Sequence, residues 1–185
     1  GYFKLNPRVD DIPERFAVSP PGMEAGQNGI RILSIGSVNT GGTGCLCPEN
    51  TLLRTLVTHL LLRQDDELIM DMEAGVEHLG RGTASAVDAF IVVVEPGRRS
   101  IQTAHSIHSL AADLGIERVY AVGNKVASES DEEFIKEQLP GFQLLGFLPG
   151  DAKAIEADRR GLAVYDLAPE LVSRVRSIVD QLGDQ

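Results

Sequence analysis

Ala89-Phe90-Ile91-Val92-Val93-Val94 and Val119-Tyr120-Ala121-Val122 are apolar at every position rather than at every second one. A strand with one wet face alternates apolar and polar residues. A continuous run is buried on both faces, the habit of a parallel sheet covered by helices. Gln143-Leu144-Leu145-Gly146-Phe147-Leu148 reads as a third such strand. Helical spacing fills the gaps, near 99–114, 130–139, 151–160 and 169–182. Strand and helix alternate, so the class is α/β, doubly wound around a mostly parallel sheet.

Working upstream, Asn28-Gly29 is a tight-turn signal ahead of a strand candidate, Ile30-Arg31-Ile32-Leu33-Ser34-Ile35. Residues 1–29 read as an irregular segment broken by Pro7, Pro13, Pro20 and Pro21, and 30–185 as part of one α/β domain. Pro48 and Glu49 open a helix over 51–63, with Leu52, Leu53, Leu56, Leu60 and Leu61 on its apolar face. Glu67-Leu68-Ile69-Met70-Asp71 is a short apolar run ending in a carboxylate, a further strand candidate.

The chain has 185 residues, 43% of them apolar, and a formal net charge of -10. That charge argues against a nucleic-acid partner, which needs a basic face. Tryptophan is absent, so base-stacking surfaces are not expected. No apolar run is long enough to span a bilayer. Two close cysteines without a wider framework suit a reducing compartment, so the expected location is cytoplasmic.

Those two cysteines lie one residue apart, in Gly41-Gly42-Thr43-Gly44-Cys45-Leu46-Cys47-Pro48. Two thiolates so placed grip one side of a soft metal ion and leave a tetrahedral site half filled. A second copy across a two-fold axis would supply the other half. Cys45 and Cys47 therefore suggest a metal and a homodimer together. The plainer reading is a pair of reduced thiols in a glycine turn.

In doubly wound sheets chemistry gathers beyond the carboxyl ends of the strands. Asp71 at such an end fits a carboxylate that holds a Mg²⁺ shell or orients water, with Gly75 offering its N–H to a terminal phosphate. An aspartate capping the next helix fits equally well. Asn124, in Gly123-Asn124-Lys125, carries an amide able to pair with the edge of a purine. Such a pair is also a common turn. Asp151, after Pro149-Gly150, is an expected helix N-cap. Gly41-Gly42-Thr43-Gly44 lacks the Gly-Lys-Ser/Thr of a phosphate loop. His105 and His108, one helical turn apart, are read as structural or solvated before metal-binding. Arg98 and Arg99 at a helix start oppose its dipole.

The run Met70-Asp71-Met72-Glu73-Ala74-Gly75-Val76-Glu77-His78-Leu79-Gly80-Arg81-Gly82 resembles the switch II region of the carbon monoxide dehydrogenase accessory ATPases of the CooC type, in the MinD/ParA group of deviant Walker A ATPases. Cys45-Leu46-Cys47 is similar to that family's Cys-x-Cys. Val122-Gly123-Asn124-Lys125 resembles its base-binding strand end, and Leu148-Pro149-Gly150-Asp151 its last nucleotide-contact loop. The resemblance implies ATP or ADP with Mg²⁺ bound between two subunits, and zinc or nickel held by paired Cys-x-Cys motifs. It implies nickel insertion, with carbon monoxide dehydrogenase as client. By it, Asp71 is catalytic, Gly75, Asn124, Lys125, Pro149 and Asp151 bind nucleotide, and Cys45 and Cys47 bind metal.

The family's first strand, its Lys-Gly-Gly-x-Gly-Lys-Ser/Thr loop and its switch I aspartate have no counterpart in this sequence. The expectation is thus the C-terminal part of such an ATPase, inactive in hydrolysis alone. Two other readings fit: a MinD/ParA-like positioning or regulatory ATPase, and a non-catalytic metal-binding dimerisation module. The tail from 169 to 185 carries Glu170, Asp180 and Asp184 against Arg174 and Arg176, which disfavours a membrane-binding helix.

Overall fold

Val119, Tyr120, Ala121, Val122 and Gly123 are all buried, and they form the first part of the middle strand of a three-stranded parallel sheet. A computed structural model describes residues 17–18, 30–33, 67–72 and 87–183. The strands are β1 (Phe90–Val94), β2 (Val119–Val126) and β3 (Gln143–Pro149), in spatial order β1-β2-β3. The helices are α1 (Arg98–Leu114), α2 (Glu129–Gln138), α3 (Ala152–Arg160), α4 (Val164–Leu167) and α5 (Pro169–Gly183). The chain divides into two compact units, Gly1–Ala86 and Val87–Gln185.

Local chemistry sets the helix ends in the second unit. The Ser128 hydroxyl accepts the Asp131 N–H at 3.3 Å, and the Asp131 carboxylate accepts the Ala127 N–H at 2.8 Å. Each side chain thus satisfies a backbone donor at the start of α2, the logic of a capping box. Glu129, Asp131 and Glu132 load the first turn of α2 and Lys136 the last, matching the helix dipole. The Asp151 carboxylate accepts the Lys153 N–H at 2.7 Å and caps α3. Pro169 opens α5, where its missing N–H costs nothing.

Register and contacts place the layers. Val92 lies beside Ala121 and Val94 beside Gly123, so these share a face. Ile135 of α2 and Phe147 of β3 approach Gly123 on that face. His105 of α1 meets the Gln138 carbonyl of α2 at 3.0 Å, so α1 and α2 are neighbours. On the opposite face Tyr120, Val122 and Leu145 form a core against Ile178 and Leu182 of α5. Helices thus lie on both faces of parallel strands, as the doubly wound class requires.

Three expectations are corrected. Residues 67–72 form no strand: Ile69 is 89% exposed and Asp71 is exposed on irregular backbone. Three apolar residues between charged neighbours do not make a strand without a ladder partner. Burial on both faces holds for the middle strand but not for β1, where Ile91 and Val93 are exposed and Val92 and Val94 buried. The second apolar run also does not end at Val122; β2 continues through Gly123, Asn124 and Lys125 to Val126.

In the first unit, Val18 and Ile32 exchange two N–H···O bonds of 2.9 and 2.8 Å, an isolated antiparallel bridge. That meets the strand expected from Ile30 at one residue. The helix expected over 51–63 lies outside the described residues, as do Cys45, Cys47 and Gly75. Among the described residues no helix is long and apolar enough to cross a membrane.

Candidate functional site

Three loops meet where β1, β2 and β3 end. The middle one is shaped by a register fault. Gly123 pairs with Phe147, but Val126 pairs with Pro149. Between those points β2 advances three residues and β3 two, so β2 carries a bulge at Asn124-Lys125. Lys125 absorbs it at φ 55°, the left-handed region, among the described residues the one non-glycine with positive φ. That conformation costs on the order of 1 kcal/mol or more for a residue with a Cβ.

The bulge has two consequences. Asn124 is half-buried and sits within the bulge, off the regular ladder. The Val126–Pro149 pairing also puts the bulge just ahead of the point where β3 leads into Gly150-Asp151. Four of the sequence-read positions, Asn124, Lys125, Pro149 and Asp151, lie at the carboxyl ends of the neighbouring strands β2 and β3. Asp151 is engaged as the α3 cap, so its carboxylate already has a partner.

Gly123 makes this end of the sheet possible. A Cβ there would lie 2.4 and 2.8 Å from the Phe147 ring and 3.2 Å from Ile135 Cδ1. The phenyl ring occupies that space instead, with Lys136 Nζ 5.0 Å from its centroid.

Glu95 is the residue the sequence reading passed over. Its carboxylate lies 2.6 Å from Lys125 Nζ, linking the ends of β1 and β2. Its N–H donates to the Ser100 hydroxyl at 3.0 Å, and its carbonyl accepts the Gly97 N–H at 2.7 Å. The turn into α1 thus holds Glu95 at both backbone groups. No spacing rule points to this pair, because 29 intervening residues separate strand ends that only the sheet makes adjacent.

Asp71 belongs to the first unit, Gly1–Ala86. His105 and His108 both pack against Phe142, with ring centroids 6.2 and 4.9 Å away, which fits the structural reading. Among the described residues no group of three or more His, Cys, Asp or Glu is placed to hold a metal. Arg98 and Arg99 are exposed at the start of α1, where Gly97 provides no side-chain cap.

No family model matches the chain. Individual relatives do. The carbon monoxide dehydrogenase accessory protein CooC of Rhodospirillum rubrum is 46% identical over 181 residues, 98% of this chain and 66% of that protein. Two uncharacterized ATP-binding proteins of Methanocaldococcus jannaschii are 42% and 30% identical over 87% and 94% of this chain. The chain spans 61% and 65% of those two, so in each case it covers just under two thirds of its relative. Among solved structures, the MinD cell division protein of Aquifex aeolicus superposes with a TM-score of 0.49 at 19% identity, over 60% of this chain and 50% of that one. A ParA family ATPase of Chlorobium tepidum gives 0.47 at 22% identity, over 58% and 46%. On the 46% identity that runs along almost its whole length, the chain belongs to the family of the carbon monoxide dehydrogenase accessory protein CooC.

Proposed function

We propose that this chain is the part of an ATP-dependent accessory protein that reads the nucleotide base and carries a metal for carbon monoxide dehydrogenase. The observation that supports the nucleotide half is the bulge at Asn124-Lys125, which lies just before Val126 pairs with Pro149 at the carboxyl end of β3. The names of the relatives agree: one is a carbon monoxide dehydrogenase accessory protein, and two others are ATP-binding proteins. Asn124 pairs with the base edge, and the Pro149-Gly150-Asp151 backbone packs along the base. Asp71 and Gly75 serve the phosphate side, with Mg²⁺, in the complete ATPase.

The donor chemistry of Cys45 and Cys47 fits zinc or nickel, since thiolates suit soft metals and hard oxygen-seeking ions do not use them. Two thiolates from each of two chains complete a tetrahedral set. The metal is cargo destined for the client enzyme, and the homodimer is the vessel. Nucleotide binding favours one dimer state over another and so governs when the metal is held.

Calorimetric titration with ADP tests the base site. Asn124→Ala is expected to weaken binding roughly tenfold, the worth of one or two hydrogen bonds. An unchanged affinity would remove Asn124 from the site. Native mass spectrometry tests the metal site: one Zn²⁺ or Ni²⁺ per two chains is expected, lost in Cys45→Ser. One metal per single chain would rule out the shared sphere.

A further inference from the structure

We propose that Glu95 is a positioning residue for the base site, acting on Asn124 through Lys125; this rests on the nucleotide-binding reading above. Lys125 is held in a conformation that a lysine adopts at a cost, at φ 55°. Backbone strain of this kind persists only where surrounding contacts over-determine it. Among the described residues the charged contact available to Lys125 is the Glu95 carboxylate, 2.6 Å from Nζ. Glu95 in turn is anchored through its own backbone, to the Ser100 hydroxyl at 3.0 Å and the Gly97 N–H at 2.7 Å.

Relaxing Lys125 to extended backbone has a defined consequence. The bulge between Gly123 and Val126 would be lost, and β2 would have to shift by one residue against β3. Successive strand residues point to opposite faces, so a one-residue shift reverses every side chain beyond it. Asn124 would then face the wrong way, or Val126 would part from Pro149. Either change alters how Asn124 stands relative to the end of β3. The Glu95–Lys125 pair therefore guards the aim of Asn124 without touching the base. Its side chains are 52% and 65% exposed, so it is a weak clasp, open to salt.

The experiment is a double-mutant cycle read by calorimetric titration of the chain with ADP and, separately, GDP. Glu95→Gln keeps the shape and removes the charge. It is expected to weaken ADP binding by roughly two- to five-fold, the range an exposed ion pair allows, and to lower the ADP-over-GDP preference by a similar factor. Glu95→Asp should recover part of the loss. High salt should erase the difference between Glu95→Gln and the unaltered chain. In a Lys125→Gly background, where left-handed backbone carries no Cβ penalty, Glu95→Gln should change nothing.

If Asn124→Ala weakens ADP binding while Glu95→Gln leaves affinity and base preference intact, the positioning role is overturned and the base site stands. If Glu95→Gln has the same effect with and without Lys125→Gly, Glu95 does not act through Lys125 and the inference fails. If the unaltered chain binds neither nucleotide, the base-site reading falls and this inference falls with it.

Discussion

Leu145→Ala is expected to lower stability by about 3 kcal/mol, a fall of roughly 10 °C in Tm. Leu145 is 1% exposed and packs with Tyr120 and Val122 against Leu148, Ile178 and Leu182. Truncation removes apolar surface from water-free packing and leaves a cavity that the surrounding strands cannot collapse to fill. Gly146 stands next to it at φ 156°, where a Cβ would lie 2.9 Å from Ile178 Cγ1, so α5 already packs as close as the backbone allows. Folded domains hold only about 5–15 kcal/mol in reserve, so this loss is large. The contrast is Ile91→Ala. Ile91 is 46% exposed on β1, and its truncation should cost well under about 1 kcal/mol. Thermal or urea unfolding followed by circular dichroism reads both. Equal costs at the two positions would mean that the α5 face of the sheet is not the core it is drawn as.

Gly123→Ala is the second large effect, expected at about 1–3 kcal/mol from overpacking. The new methyl would meet the Phe147 ring at 2.4 and 2.8 Å, and Ile135 Cδ1 stands 3.2 Å away. Ile135 is fully buried, so the ring has little room to retreat toward α2. Strain at this point also reaches the site, because Asn124 follows Gly123 directly and Phe147 lies two residues before Pro149. Adding Phe147→Leu to the same chain should recover part of the stability. Gly150→Ala is the control: a Cβ there meets nothing within 4 Å, and the change should stay within about 0.5 kcal/mol. If Gly123→Ala proves as harmless as Gly150→Ala, close approach at the strand end is not what this glycine provides.

Much of the second unit could be read before any coordinates. The helix expected near 99–114 spans 98–114, that near 130–139 spans 129–138, and that near 169–182 spans 169–183. These succeed because the signals are local. Apolar residues recur at helical spacing, Ser128 and Asp151 supply caps within three residues of the donors they satisfy, and Pro169 starts a helix it could not continue. The strand cores were legible for the same reason, since continuous β-branched runs suit a sheet buried on both faces.

The corrections fall where the signal is not local. Leu68-Ile69-Met70 has strand composition, yet residues 67–72 are irregular, because a strand exists only when another strand accepts its hydrogen bonds. Ile91 and Val93 continue the same run as Val92 and Val94, yet they are exposed, because α5 covers the neighbouring strands on that face and leaves β1 uncovered. Composition cannot tell those residues apart.

Residue order alone settled the alternation of strand and helix and the Asp151 cap that begins α3, because each rests on contacts between residues a few positions apart. Folding in three dimensions decided that Asn124 leaves the ladder, that Lys125 turns left-handed and that Glu95 reaches it at 2.6 Å. Those depend on the register between strands some twenty residues or more distant in the chain, and register is a property of the assembled sheet, not of any one strand within it.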